Sequence, residues 1–232
     1  MSESFTFDVA THGSTTAIVY RAREPIGATL LLAHGAGAAQ THPFMVDMAE
    51  RISRRGIDVV TFNFLYTEHG RRMPDRNDLL EACWHAAIAS VRARGGLPTE
   101  QLFCGGKSMG GRIVSNIAAS PAGDGLGASG LVFLGYPLHP ANKPEVRRDG
   151  HLPRVPFPML FVQGSRDALG DATEIRKVVR RLPHAALHVV RGGDHSLELL
   201  QRDGGSAKQA AARDAAADAI GAFVRKFGST LR

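Results

Sequence analysis

Leu102-Phe103-Cys104-Gly105-Gly106-Lys107-Ser108-Met109-Gly110-Gly111-Arg112 is the stretch around which the chain is organised. An apolar run ends in two glycines, a serine follows one residue later, and Ile113, Val114 and Ile117 then recur at helical spacing. Gly106 to Gly110 fits G-x-S-x-G, the pattern of a sharp strand-to-helix turn that holds its serine in a strained backbone conformation. Glycines at both ends lack the Cβ atoms that would collide where strand and helix approach so closely. A serine at such a turn sits at a helix N-terminus, whose free N–H groups suit a developing oxyanion. The rival reading is a phosphate loop, because Gly106-Lys107-Ser108 is the last half of G-x-x-x-x-G-K-[ST]. That motif needs a glycine where Gln101 stands, and a loop where the apolar run continues.

Outward from this turn, apolar runs alternate with helical patterns. Residues 4–10 and 15–21 flank Thr11-His12-Gly13-Ser14 as an opening hairpin. Residues 28–33 form a continuous apolar run, as a strand buried on both faces requires, and end in the small-residue loop His34-Gly35-Ala36-Gly37-Ala38. Further strands are expected over 57–62, 131–134, 159–163 and 187–190. Helices are marked by Met45, Met48, Ala49 and Ile52, by Leu80, Cys83, Ala87 and Val91, by Ile175, Val178, Val179 and Leu182, and by Ile220, Phe223, Val224 and Phe227. This alternation predicts an α/β fold, a mostly parallel central sheet with helices on both faces. No repeat, linker or composition shift divides residues 1–232, so a single domain is expected. Two long loops, 63–76 and the Pro-rich 136–158, follow strands. Neither is long enough for a full cap domain, although 136–158 has the length of a small lid.

A serine needs a base, and the base needs a group that fixes its tautomer. Phe161-Val162-Gln163-Gly164-Ser165-Arg166-Asp167 is a buried strand followed by a turn carrying Asp167. Val189-Val190-Arg191-Gly192-Gly193-Asp194-His195 is another strand followed by a glycine turn, with His195 at its end. The expected triad is therefore Ser108, Asp167 and His195, each after a different strand and in the order Ser…Asp…His. Asp171 is the competing candidate for helix N-cap, and Asp194 a rival acid badly placed beside its own histidine. The oxyanion hole is expected from the backbone N–H groups of Met109 and Ala36, with Gly37 as the second choice for the latter. His34 reads as a buttress of that loop. Gly37, Phe64, Tyr66 and Tyr136 are expected to meet the substrate.

His34-Gly35-Ala36-Gly37-Ala38, Gly106-Lys107-Ser108-Met109-Gly110-Gly111-Arg112 and Gly192-Gly193-Asp194-His195 together carry a resemblance. Over nearly its full length the chain resembles the α/β-hydrolase superfamily, and within it the small dienelactone-hydrolase-like branch. Closer still, these motifs resemble a little-characterised subgroup related to a subunit of the NSL histone-acetylation complex and to a testis-expressed protein. The resemblance implies a serine hydrolase with nucleophile Ser108, acid Asp167 and base His195. True dienelactone hydrolases use a cysteine where this chain has Ser108, which argues against a dienelactone substrate. Some relatives in the subgroup act as interaction scaffolds, so a non-catalytic module is the alternative to an enzyme.

Composition fits this picture. The formal net charge is +6, carried by arginines scattered along the chain with no basic tail or aromatic-interleaved strip, so no nucleic-acid partner is expected. Cys83 and Cys104 fall in a helical and a strand pattern, which predicts two reduced core thiols. The first residues carry Glu3 and Asp8 and lack an apolar signal-like core, and no run approaches the about 18 apolar residues of a membrane span. A cytoplasmic protein acting on a small-molecule acyl substrate is expected, with no membrane partner, no metal and no organic cofactor. Oligomeric state is left open.

Overall fold

The computed structural model describes residues 2–121, 126–200 and 205–228. Its strands are β1 (Ser2–Asp8), β2 (Ser14–Tyr20), β3 (Ala28–Ala33), β4 (Ile57–Phe62), β5 (Leu102–Lys107), β6 (Gly130–Leu134), β7 (Met159–Gly164) and β8 (Ala185–Val190). Its helices are α1 (Pro43–Ser53), α2 (Leu65–Glu68), α3 (Asn77–Ala93), α4 (Met109–Ala118), α5 (Ala172–Val179) and α6 (Gly205–Gly228). The sheet order is β1-β2-β4-β3-β5-β6-β7-β8. The opening hairpin pairs antiparallel with itself and with β4, and every pairing from β4 to β8 is parallel.

The continuous apolar runs are explained by burial on both faces. In β3, Leu31 and Ala33 join the core under α3, α4 and α5, while Leu30 and Leu32 join the core under α1 and α6. This is the two-residue period of a strand with a helix layer on either side. Leu30, Leu31 and Leu32 are fully buried, each contributing about 1.5–3 kcal/mol of transfer free energy. In β5, Leu102 and Cys104 face the first core and Phe103 the second. Cys83 and Cys104 are both free and buried.

Parallel strands put all their C-terminal ends on one edge, and in this order β5 lies at the middle of the sheet with β3 and β6 beside it. The loops after β3, β5, β6, β7 and β8 therefore converge, at the edge where open α/β sheets place their ligands. Segment 63–76 is not all loop, because α2 forms there: Phe64, Leu65 and Tyr66 have apolar bodies to bury, and all three are inside. Segment 136–158 crosses the edge with one 3-10 turn at Leu152–Arg154. Among the described residues no additional layer covers the sheet, so this is an α/β-hydrolase fold without a cap domain. No described helix is long and apolar enough to cross a membrane.

Candidate active site

β5 passes into α4 through one residue. Ser108 holds φ 50° and ψ −114°, a left-handed conformation that an L-residue adopts only under constraint. The constraint is visible on both sides. A Cβ on Gly106 would lie 2.5 Å from the Ala33 carbonyl oxygen, and one on Gly110 would lie 2.6 Å from the same atom. Only glycine permits that approach of α4 to the end of β3. The turn is held by the Ser108 N–H donating to the Leu134 carbonyl at 3.1 Å, and by the Arg112 N–H donating to the Ser108 carbonyl at 3.0 Å. Ser108 is the N-cap of α4, yet its hydroxyl makes no capping bond.

That hydroxyl faces His195 instead, with Oγ 2.8 Å from Nε2. His195 Nδ1 is 2.8 Å from Asp167 Oδ2. The partners assign the tautomer: Nδ1–H donates to the carboxylate, and Nε2 is left to accept from the serine. Asp167 has its side chain entirely out of solvent, whereas the His195 side chain is 25 % exposed. A buried carboxylate must be hydrogen-bonded, and Asp167 is: Oδ1 accepts from the Leu169 N–H at 2.8 Å and Oδ2 from Gln163 Nε2 at 2.7 Å. The structure thus brings together the three residues named from sequence. The two rival aspartates are engaged elsewhere. Asp171 caps α5 in a reciprocal capping box with Glu174. Asp194 Oδ1 accepts from the N–H groups of Ser196 and Glu198 within its own turn.

Near the nucleophile, the N–H groups of Met109 and Ala36 make no hydrogen bond with any described residue, and Ala36 is exposed. Gly37 is different, because its N–H donates to the Tyr66 hydroxyl at 3.2 Å. His34 is buried and shapes this loop. Its Nδ1 lies 2.8 Å from the Gly35 carbonyl, and its Nε2 accepts from the Phe64 N–H at 3.1 Å. Burial pushes its pKa down to about 4, partly opposed by the Gly35 bond, so it is a neutral strut.

The expected substrate contacts need correction. Phe64, Tyr66 and Tyr136 are fully buried and offer no surface to a ligand. Phe64 packs edge-on against His34, at 5.1 Å between ring centroids. The Tyr66 hydroxyl accepts from Gly37 and reaches the Gly35 carbonyl at 3.4 Å. Tyr136 donates to the Arg148 carbonyl at 2.9 Å. An aromatic body with one polar tip suits a loop support as well as a pocket wall, which is why residue type misled. Gly37 is exposed, but its N–H is committed.

Two neighbours of the triad escaped the sequence reading. Gln163 ends the β7 apolar run, and its Nε2 bonds Asp167 and also the Gly170 carbonyl at 2.7 Å, while its Oε1 accepts from the Tyr136 N–H at 2.8 Å. An amide in a run otherwise fit for full burial was the available signal. Lys107 is 9 % exposed, with no hydrogen bond or ion pair among the described residues. Its ammonium and His195 Nδ1 both lie within 3.4 Å of where a Cβ on Gly135 would sit. Burial pushes the Lys107 pKa down to about 8, opposed by the charges of Asp167 and Asp194. Among the described residues no group of side chains could hold a metal ion.

Comparison with solved structures places this geometry among hydrolase folds. An esterase domain from a Rhodothermus marinus protein superposes with a TM-score of 0.70 at 15% identity, over 98% of this chain and 99% of its own. An α/β serine hydrolase without a lid from Xanthomonas campestris gives 0.72 at 19% identity, over 97% and 94%. A dienelactone hydrolase from Anabaena variabilis gives 0.74 at 16% identity, over 98% of both. At such identities the likeness establishes the fold. The sequence itself matches the model of the alpha/beta hydrolase domain over residues 27–225, and with that span covered the chain belongs to this family.

Proposed function

We propose that this protein is a serine hydrolase cleaving an ester, thioester or related acyl bond of a small soluble substrate. The observation that carries the reading is the unbroken relay from Ser108 Oγ through His195 to Asp167, with both links at 2.8 Å, at the strained head of α4. Ser108 Oγ attacks the acyl carbonyl while its proton passes to His195 Nε2. The resulting imidazolium stays hydrogen-bonded to Asp167. The carbonyl oxygen becomes an oxyanion facing the free N–H groups of Ala36 and Met109. One such donor is worth about 3 kcal/mol of transition-state stabilisation. The tetrahedral centre then expels the alcohol or thiol, which takes the proton from Nε2. Water gives a proton to Nε2 and attacks the acyl-enzyme, and the acid leaves as Ser108 regains its proton. Every proton in this sequence moves between Ser108, His195, water and the leaving group. The three motifs keep this chain, in our reading, beside the subgroup related to the NSL-complex subunit. The relay favours an active enzyme over a non-catalytic module.

The test is labelling with a fluorophosphonate. Ser108 should be the single labelled residue, and Ser108→Ala should abolish both labelling and ester hydrolysis while the fold is retained. Labelling that survives in that variant would move the nucleophile elsewhere. A chain-length series of acyl esters should favour short and medium chains, since no cap domain offers a long apolar wall.

A further inference from the structure

Lys107 is a buried cation that the relay chemistry leaves unused, and β5 decides where it points. Alternate residues of a strand face opposite cores, so Lys107 falls on the α1/α6 side with Phe103. Its ammonium accordingly lies 6.0 Å from the centroid of the Phe44 ring of α1. It also lies 3.3 Å from the point that a Cβ on Gly135 would occupy, and His195 Nδ1 lies 3.4 Å from that same point. At most the sum of two short distances therefore separates the two nitrogens, which both line the space a side chain at position 135 would take. A Cβ there would also stand 2.6 Å from the His195 carbonyl oxygen. Gly135 is thus what admits the ammonium and the histidine turn together. Ser108 meets the ring at its other nitrogen, Nε2, so Lys107 stands behind the relay and away from the reacting atoms.

The relay has a use for a cation at that place. The Asp167 side chain is out of solvent, and while His195 is neutral none of its donors carries a charge: the Leu169 N–H, Gln163 Nε2 and His195 Nδ1–H. A buried carboxylate so placed is stabilised by a positive charge within reach of its field. Lys107 responds to that carboxylate in turn. Burial pushes its pKa down to about 8, and Asp167 is the first of the two acids that oppose the fall, so it remains an ammonium at pH 7. The other charges around Lys107 are engaged. Asp194, the second acid, accepts from the Ser196 and Glu198 N–H groups of its own turn. Arg213 of α6, 5.6 Å from the same Phe44 ring, pairs with Asp47 and Glu198. Arg166 donates to the Gly192 and Glu198 carbonyls. His34, from the loop after β3, is uncharged at neutral pH, and His42 accepts from the Phe44 N–H as the cap of α1.

We infer that Lys107 is a positioning residue of the relay: its ammonium gives buried Asp167 a positive charge and so opposes a second one on the His195 ring. The imidazole then stays neutral, and able to take the Ser108 proton, to lower pH than the aspartate and histidine would hold alone. This rests on the serine-hydrolase reading and adds a residue to it. It also gives a use to an ammonium buried without an ion pair, which the fold by itself does not need.

Nitrogen-15 NMR of the imidazole tests this without turnover, on the wild-type protein, Lys107→Met and Lys107→Arg. In Lys107→Met the midpoint of the His195 titration should rise by about one pH unit, the order expected when a unit charge is removed so near a partly exposed group. Lys107→Arg keeps the charge and should keep most of the wild-type midpoint. On an ester, the acid limb of the kcat profile should move by the same amount in Lys107→Met, with KM little changed. High salt should leave most of the shift in place, because buried charges are weakly screened. A side chain that only filled space would change stability, or kcat at every pH alike, and leave the midpoint where it was. Hydrolysis and fluorophosphonate labelling both absent, with the midpoint still shifted, would count against the enzyme and leave the coupling of Lys107 to the ring standing. A midpoint in Lys107→Met that is unchanged or lower overturns the inference. So does a Lys107→Met protein that no longer folds, which would make the lysine a support of the fold, or a folded Lys107→Arg protein that titrates like Lys107→Met.

Discussion

Where α1 lies along α6, three half-buried guanidiniums meet carboxylates. Arg51 sits between Asp47 at 2.9 Å and Asp214 at 2.7 Å, Arg55 between Asp214 at 3.0 Å and Asp218 at 2.9 Å, and Arg213 reaches Asp47 at 2.9 Å. At the edge where β5 ends, the same chain buries Lys107 with no ion pair among the described residues and holds Ser108 in a left-handed conformation. The shortage is not one of acids, since Asp149 and Asp194 lie in the loops of that edge and Glu174 in the first turn of α5, all tied to other partners. The seam is arranged for the folded state itself. The edge stores cost, in backbone strain and unneutralised charge, where a reacting molecule would be stabilised by it. A surface cleft lined by Glu24, Arg54, Arg55, Asp218 and Arg225 lies beside the seam, by the residues that enter β3 and β4, away from the triad.

The largest effect that would break this contrast concerns the acid. Asp167→Asn should lower kcat on any turned-over ester by roughly 10³–10⁴, because the imidazole loses the partner that fixes its tautomer. Asp194→Asn should do far less to kcat, since that carboxylate accepts only from the backbone of its own turn. Equal losses from the two variants, in steady-state kinetics on one ester, would mean that the edge is a structural network throughout.

A middle-sized effect separates two buried bases by pH. Lys107 has a folded pKa of about 8 against an ordinary 10.5. Below pH 8 it is charged in both states, so the folded protein bears the full cost of burying it. Between about 8 and 10.5 the unfolded chain binds the extra proton, and stability rises with pH. Lys107→Met should therefore stabilise the protein at pH 7 by at most roughly 3 kcal/mol, with the gain shrinking toward pH 10. His34 has the opposite consequence at neutral pH. Its folded pKa of about 4 lies below the ordinary 6.5, so it costs nothing at pH 7. Between 6.5 and 4 the unfolded chain binds more protons, and that stability is lost as pH falls. Denaturant midpoints across pH 4–10 check both signs. A Lys107→Met variant less stable than wild type at pH 7 would place the lysine among the supports of the fold.

Much of the sheet was legible because each strand writes its own burial. The residues of β3 and β5 to β7 are apolar on both faces, and the glycines at Gly106, Gly110, Gly164 and Gly193 mark where backbones touch. The three relay residues were legible because each follows a strand through a short turn, although β8, which precedes His195, is only partly buried. What could not be read depends on partners far along the chain. Gln163 supports Asp167 through bonds that also span to Tyr136, 27 residues away. Tyr66 and Phe64 looked like pocket walls until α2 turned them under His34, about 30 residues upstream. Lys107 reads in sequence as the variable position of G-x-S-x-G. Its burial depends on Gly135, Phe44 and the His195 turn meeting over it.

The smallest effect is expected at the seam, and its smallness is what gives the contrast its meaning. Asp214 is 45 % exposed and bridges Arg51 and Arg55, whose hydrogen bonds hold its carboxyl below the usual carboxylate range. Asp214→Asn removes two ion pairs but isolates neither arginine, because Arg51 keeps Asp47 and Arg55 keeps Asp218. Exposed pairs are worth about 0.2–1 kcal/mol, and water and salt screen them further. The variant should therefore lose no more than about 1 kcal/mol at pH 7 and low salt, and less at high salt. The sign with pH follows from the depressed carboxyl. The contribution is present above the ordinary carboxylate pKa and disappears as the folded group takes up its proton. Chemical denaturation of the two proteins at pH 7 and pH 3 reads this directly. A loss several times larger at pH 7 would show that the seam, like the edge, depends on each of its charges, and the contrast between them would fail.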